Sequence, residues 1–204
     1  MFKDLEADLE NFYDLPEQKQ EEILSEINQR GSKTQDKFKA YLKEVGYGIN
    51  TNRSLFYEAI WKHPKNWEDF ILEELEGLIK RSADGEKGVI EEFTSLIYLT
   101  DLEEMSPAFY KKSLSILWKG LDAKIPEVRG NCSEAIIDII EIGEIMLKMN
   151  EVEKLQELLK DEVFKIRMQT YSNLKEINLL PKDFKFSVWD RIRAKLTGYG
   201  KLLD

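Results

Sequence analysis

The chain has 204 residues, 42% of them hydrophobic and 34% charged, with a formal net charge of −9. Only 11 Gly and 5 Pro accompany that composition, which excludes a disordered chain and leaves room for one sizeable core or a continuous solenoid. The single cysteine, Cys132, excludes an internal disulfide, and no stretch approaches the ~20 apolar residues of a membrane span. The most apolar run, Ala135 to Ile142, is broken by Asp138 and Glu141.

The start, Met1-Phe2-Lys3-Asp4-Leu5-Glu6-Ala7-Asp8, lacks the apolar centre of a secretory signal, so the expected compartment is the cytoplasm. Charge is unevenly placed. Residues 1–104 carry 13 Lys+Arg against 24 Asp+Glu, and residues 105–204 carry 17 against 15. The acidic half repels nucleic acid and anionic lipid at long range and reads as a solvated surface.

The punctuation is helical throughout. Phe2 to Tyr13 is a short amphipathic segment. Asp14-Leu15-Pro16-Glu17 opens a second helix, which Gly31 is expected to stop after Arg30. Ser32 and Gln35 stand at capping-box spacing before a third helix that Gly46 ends. A loop follows over 46–52, then a helix from Arg53 to about Lys62. His63-Pro64 breaks it, and Pro64 begins a helix reaching about Arg81. From Glu86 onward helices are expected near 87–99, 107–119, 126–142, 150–160, 163–177 and 182–196. Ser106-Pro107 and Ile125-Pro126 place prolines at helix starts, and the short turns point to antiparallel neighbours.

A period of 38 residues runs through this second part. It pairs Arg129 with Arg167, Val128 with Ile166, Cys132 with Thr170, Ile136 with Leu174 and Ile139 with Ile177. One step back it pairs Ile90 with Val128 and Thr94 with Cys132, but sets Glu91 opposite Arg129 and Asp101 opposite Ile139. Ala135 against Asn173 is a further mismatch. At about 100° per residue, Val128, Cys132, Ala135, Ile136, Ile139 and Ile142 form one stripe, and Ile137 and Ile140 widen it. Small side chains at Thr94, Cys132 and Thr170 occupy one column and suit a close approach of successive helices.

Pro126-Glu127-Val128-Arg129 and Lys165-Ile166-Arg167 resemble the Pro-x-Val-Arg opening of the first helix in a HEAT repeat, a helix pair of about 40 residues. The resemblance implies an all-α superhelix of stacked antiparallel helix pairs, about three over 86–197. No Pro- or Ser-rich linker separates the two halves, so one domain is expected, with residues 1–85 capping or extending the stack. The resemblance also implies a ladder of Asp–Arg contacts between successive turns. Asp161 stands six residues before Arg167, as the ladder expects; Asp122 stands seven before Arg129, and Asp84 has no arginine partner.

Chemistry is thinly represented. His63 is the only histidine and has no nucleophile motif beside it. Cys132 sits on an apolar stripe and reads as a buried small hydrophobe. No zinc, EF-hand or phosphate-loop motif is present, so neither metal nor cofactor is expected. Trp61, Trp67, Trp118 and Trp189 read as core. At the C-terminal end, residues 163–204 hold nine Lys+Arg against four Asp+Glu. There Phe184, Val188, Trp189, Ile192 and Leu196 form an expected buried stripe, flanked by Arg191, Arg193 and Lys195 as candidate partner-binding residues. The function expected is protein binding by a non-catalytic scaffold, with a partner the sequence does not name. The alternative is a nucleic-acid enzyme resembling the HEAT-like glycosylases of alkylated bases. Duplex DNA and membrane are not the expected ligands.

Overall fold

The structure, a computed structural model, describes residues 2–45, 53–61, 64–83 and 105–202. Every regular element among them is helical, so the chain is all-α over the described residues. It divides into two compact units, Met1–Ile116 and Leu117–Asp204. The helix expected over 87–99, the loop over 46–52, His63 and Thr94 lie outside the described residues.

The first unit holds α1 (Glu6–Glu10), α2 (Glu17–Lys33), α3 (Gln35–Val45), α4 (Arg53–Trp61) and α5 (Glu68–Ala83). A 3-10 turn, Pro64–Trp67, leads into α5. In α2 the buried Ile23, Leu24, Ile27 and Gly31 recur at helical spacing, and the helix packs along α4. Asn28 fixes that contact by donating its amide to the carbonyl of Ala59 at 2.7 Å. Phe38 centres the core: Trp67 lies 4.9 Å away between ring centroids, Phe70 5.5 Å and Phe2 5.9 Å.

Two expectations fail here for identifiable reasons. Gly31 does not stop α2, which runs through it to Lys33. A Cβ at Gly31 would come within 2.6 Å of the Trp67 ring and 2.9 Å of Phe38, so this glycine makes room for aromatic packing. Ser32 does not form a capping box with Gln35; its hydroxyl donates back to the Gln29 carbonyl inside the same helix.

Helix α6 (Pro107–Gly120) begins where Ser106 caps it, the hydroxyl accepting from the Phe109 amide at 3.1 Å. The Glu68 carboxylate takes both the Ser106 amide and its hydroxyl, each at 2.6 Å.

The second unit is built on α7 (Pro126–Ile142), α8 (Met149–Glu157), α9 (Phe164–Glu176) and α10 (Val188–Leu196). The apolar stripe of α7 is buried from Val128 to Ile139, with Val128, Cys132 and Ile136 fully inaccessible, but Ile142 at its end is 40% exposed. α9 packs against it, and Gly130 sets the approach: a Cβ there would meet Ile166 Cδ1 at 2.7 Å. Glu134 and Gln169 join the same two helices by a hydrogen bond of 2.6 Å.

α7 and α9 start and stop alike. Ile125 and Val163, 38 residues apart, precede them with nearly the same extended backbone, φ −83° and ψ 118° against φ −90° and ψ 119°. Each helix closes through a left-handed residue, Glu144 at φ 47° and Asn178 at φ 58°. The next amide then reaches five residues back, from Ile145 to the Ile140 carbonyl and from Leu179 to that of Leu174, both at 2.9 Å. This is the Schellman closure in each case.

The last helix is shorter than expected, beginning at Val188 and not at 182. Phe184 and Phe186 lie in the irregular segment before it, and both rings pack at a tilt against Tyr171, with centroids 5.9 and 4.7 Å away. Ser187 then caps α10, its hydroxyl accepting from the Asp190 amide at 3.0 Å.

Candidate functional site

Arg129 and Arg167, 38 residues apart, make parallel sets of contacts with Asp161 and Asp190 that form a two-rung ladder. Arg129 lies in the first turn of α7 and donates Nη1 to the carbonyls of Ala123 and Lys124, at 2.8 and 3.1 Å, in the turn before its helix. Arg167 does the same in the first turn of α9, with Nη1 on the carbonyls of Asp161 and Glu162 at 2.5 and 3.1 Å. The offsets of six and five residues are identical. Each arginine therefore ties down its own entry turn before reaching outward.

The outward contacts form the rungs. Arg129 holds the Asp161 carboxylate at two points, Nε to Oδ2 at 2.7 Å and Nη2 to Oδ1 at 2.9 Å. Arg167 pairs with Asp190 in α10. Both rungs are sheltered: the Arg129 and Asp161 side chains are 11% and 5% exposed, and those of Arg167 and Asp190 are 17% and 16%. Burial pushes the Asp161 carboxyl up. The Arg129 hydrogen bonds, the Val163 amide and the two arginine charges outweigh it and hold it below the usual range. Asp190 shows the same balance, with Arg167 and Ser187 outweighing burial.

Asp122 takes no part in the ladder. Its carboxylate is exposed and pairs with Lys154 at 2.7 Å, while Lys154 also reaches the carbonyl of Trp118. Asp161 serves Arg129 with its carboxylate and Arg167 with its carbonyl. Pro126 occupies the first turn of α7, where no amide is needed, and Val128 and Ile166 are buried at matching positions.

The α10 stripe, expected to be buried, faces solvent. Val188, Trp189 and Leu196 are 72%, 80% and 81% exposed, and Ile192 is 45% exposed. The helix is anchored by its opposite face. Ala194 is fully buried against Phe164 and Met168, and Asp190 is held by Arg167. Arg193 lies with its guanidinium 4.8 Å over the Phe164 ring. Arg191 and Lys195 stand in solvent along one edge of the exposed stripe and pair with no acid among the described residues. Of the tryptophans expected in the core, Trp67 is fully buried and Trp189 is not.

Periodicity did not reveal one buried charge. Arg53, 1% exposed, donates Nε to the Tyr57 hydroxyl at 2.7 Å and Nη1 to the Leu42 carbonyl at 2.6 Å, and pairs with Glu74. Tyr57 in turn donates to Glu74 at 2.9 Å. Burial disfavours the guanidinium charge, but Tyr57 and Glu74 outweigh it and the group stays charged. The network ties α3, α4 and α5 together.

Cys132 is buried on α7, and burial pushes its thiol far above the range where a thiolate forms. Among the described residues no three His, Cys, Asp or Glu side chains are placed to hold a metal, and no helix is long and apolar enough to cross a membrane. Compared with protein-family models, with curated proteins and with solved structures, the chain finds no match.

Proposed function

We propose that this chain is a non-catalytic protein-binding scaffold whose second unit is a short HEAT-like solenoid of stacked antiparallel helix pairs. The observation that carries the reading is the double use of one arginine geometry. Arg129 and Arg167 tie the carbonyls six and five residues before them and then reach an aspartate further along the chain. A device repeated at a fixed period is what stacked helical repeats use to hold their register. Such a stack offers a long face and needs no reactive group to bind a partner.

The test is affinity capture of the full chain from its native source, followed by mass spectrometry. The reading expects a protein recovered in stoichiometric amount. A discrete small-molecule turnover, lost on changing one pocket residue, would contradict it.

The exposed Trp189, on the same helix as the exposed Arg191 and Lys195, supports a second reading, in which a base stacks on the aromatic and the cations meet phosphates. A salt titration of duplex DNA binding separates the two. The scaffold reading expects weak binding at physiological salt. Tight binding with a steep salt slope, abolished in Arg191→Glu/Lys195→Glu, would favour the nucleic-acid enzyme.

A further inference from the structure

Tyr13, Ile142 and Met149 apart, the large apolar side chains that stand exposed among the described residues fall in two places, both in the second unit. One is the ridge on α10. Val188, Trp189, Ile192 and Leu196 share an arc of roughly 100° on the face turned away from Ala194. Its rim is cationic, with Arg191 and Lys195 exposed along one edge. The one acid of the helix, Asp190, is turned inward and neutralised by Arg167.

The other is a groove of about 480 Å³ at the C-terminal ends of α7 and α9. Its lining is largely apolar, with Ile145, Leu147, Ile177 and Leu179, and with Met146, which is 93% exposed. Its rim is anionic. Glu141 and Glu176 line it from the last turns of the two helices, and Glu144 follows at the closure of α7. The negative ends of both helix dipoles add to that rim. An apolar ridge with a cationic rim and an apolar groove with an anionic rim are thus carried by the same chain.

We propose that the α10 ridge of one copy of this chain seats in the α7–α9 groove of a second copy. Trp189 and Leu196 fill the groove, and Arg191 and Lys195 meet Glu141 and Glu176. Apolar surface supplies the attraction, and the opposed charges fix the pairing of unlike surfaces. Ridge against ridge sets Arg191 and Lys195 against their own copies, and groove against groove sets glutamates against glutamates, so neither surface pairs with itself. An anionic membrane is an extended plane that would meet the whole acidic molecule, whereas the groove meets only the local cationic segment. The inference is independent of the HEAT-like reading.

The test is the weight-average mass of the full chain, measured by sedimentation from low micromolar to near-millimolar concentration. The mass should climb from the monomer to at least twice that value. Glu141→Lys/Glu176→Lys and Arg191→Glu/Lys195→Glu, all at exposed positions, should each remain folded by circular dichroism and monomeric alone. Mixed in equal amounts, the two variants should associate again, because each then offers a surface complementary to the other. Three outcomes would overturn the proposal: a wild type that is monomeric throughout, association unchanged by either charge reversal, or variants that fail to associate on mixing. A monomeric wild type that binds anionic vesicles through Trp189 would assign the ridge to a membrane instead.

Discussion

Arg129 grips Asp161 across 32 residues of chain, with two charge-assisted hydrogen bonds in a nearly dry setting. The same guanidinium braces the turn that precedes its helix. Arg129→Ala should therefore lower stability by about 2–3 kcal/mol in chemical unfolding, since it strands a buried carboxylate as well as two carbonyls. Arg129→Lys should recover little, because an ammonium cannot make the two-point contact and reach the turn as well. Full recovery by lysine would show that only charge matters there.

The depressed Asp161 and Asp190 carboxyls give this part of the stability a pH signature. A carboxyl held lower in the folded state contributes stability that is present above the unfolded value of about 3.9 and is lost as pH falls below it. Unfolding followed by circular dichroism from pH 5 to pH 2 should show a steeper loss for wild type than for Asp161→Asn. Parallel curves would mean that the ladder carboxylate is not coupled to folding.

Asp138 works in the opposite sense. Burial first, then the charges of Glu134, Glu141 and Glu176, push its carboxyl up to about 6. With its folded value above the unfolded one, the folded state binds the extra proton between about pH 4 and 6, so this term strengthens the fold as pH falls through that window. Asp138→Asn should stabilise by about 1 kcal/mol at pH 7, after allowance for solvent screening, and the gain should vanish near pH 4. A constant difference across pH would remove the electrostatic explanation.

Arg53 is the buried charge of the first unit. Arg53→Met should cost about 3–5 kcal/mol, because Glu74 and the Leu42 carbonyl lose their partner inside the core. Arg53→Met/Glu74→Gln should recover part of that loss in a thermal melt. A double variant no more stable than Arg53→Met would show that the Leu42 and Tyr57 bonds, and not the ion pair, carry the effect.

Glu144 stands at φ 47° without the freedom of glycine. Glu144→Gly should raise stability by about 0.5–1 kcal/mol. The gain at Asn178 should be smaller, since asparagine tolerates the left-handed region better. A loss at Glu144 would mean that its side chain makes a contact worth more than the strain.

Periodicity and proline placement gave good access to the second unit. Pro126 and the 38-residue offset locate α7 and α9, and the stripe through Val128, Cys132 and Ile136 is the buried one. The same reasoning misjudged α10. A stripe of Val188, Trp189, Ile192 and Leu196 has the spacing of a core face, but spacing does not say which face meets the protein. Ala194 and the Arg167–Asp190 pair turn the helix the other way. Gly31 likewise reads as a helix stop until Trp67 and Phe38 come to lie against it from distant sequence. Arg53 gave no local signal, because its partners Leu42, Tyr57 and Glu74 converge only in three dimensions.

The equivalence of the two rungs is most directly tested by double-mutant cycles on Arg129 with Asp161 and on Arg167 with Asp190, read by denaturant unfolding. If one device is used at both positions, each cycle should return a coupling of about 1–3 kcal/mol of the same sign. A coupling near zero in either cycle would contradict a ladder that is used twice.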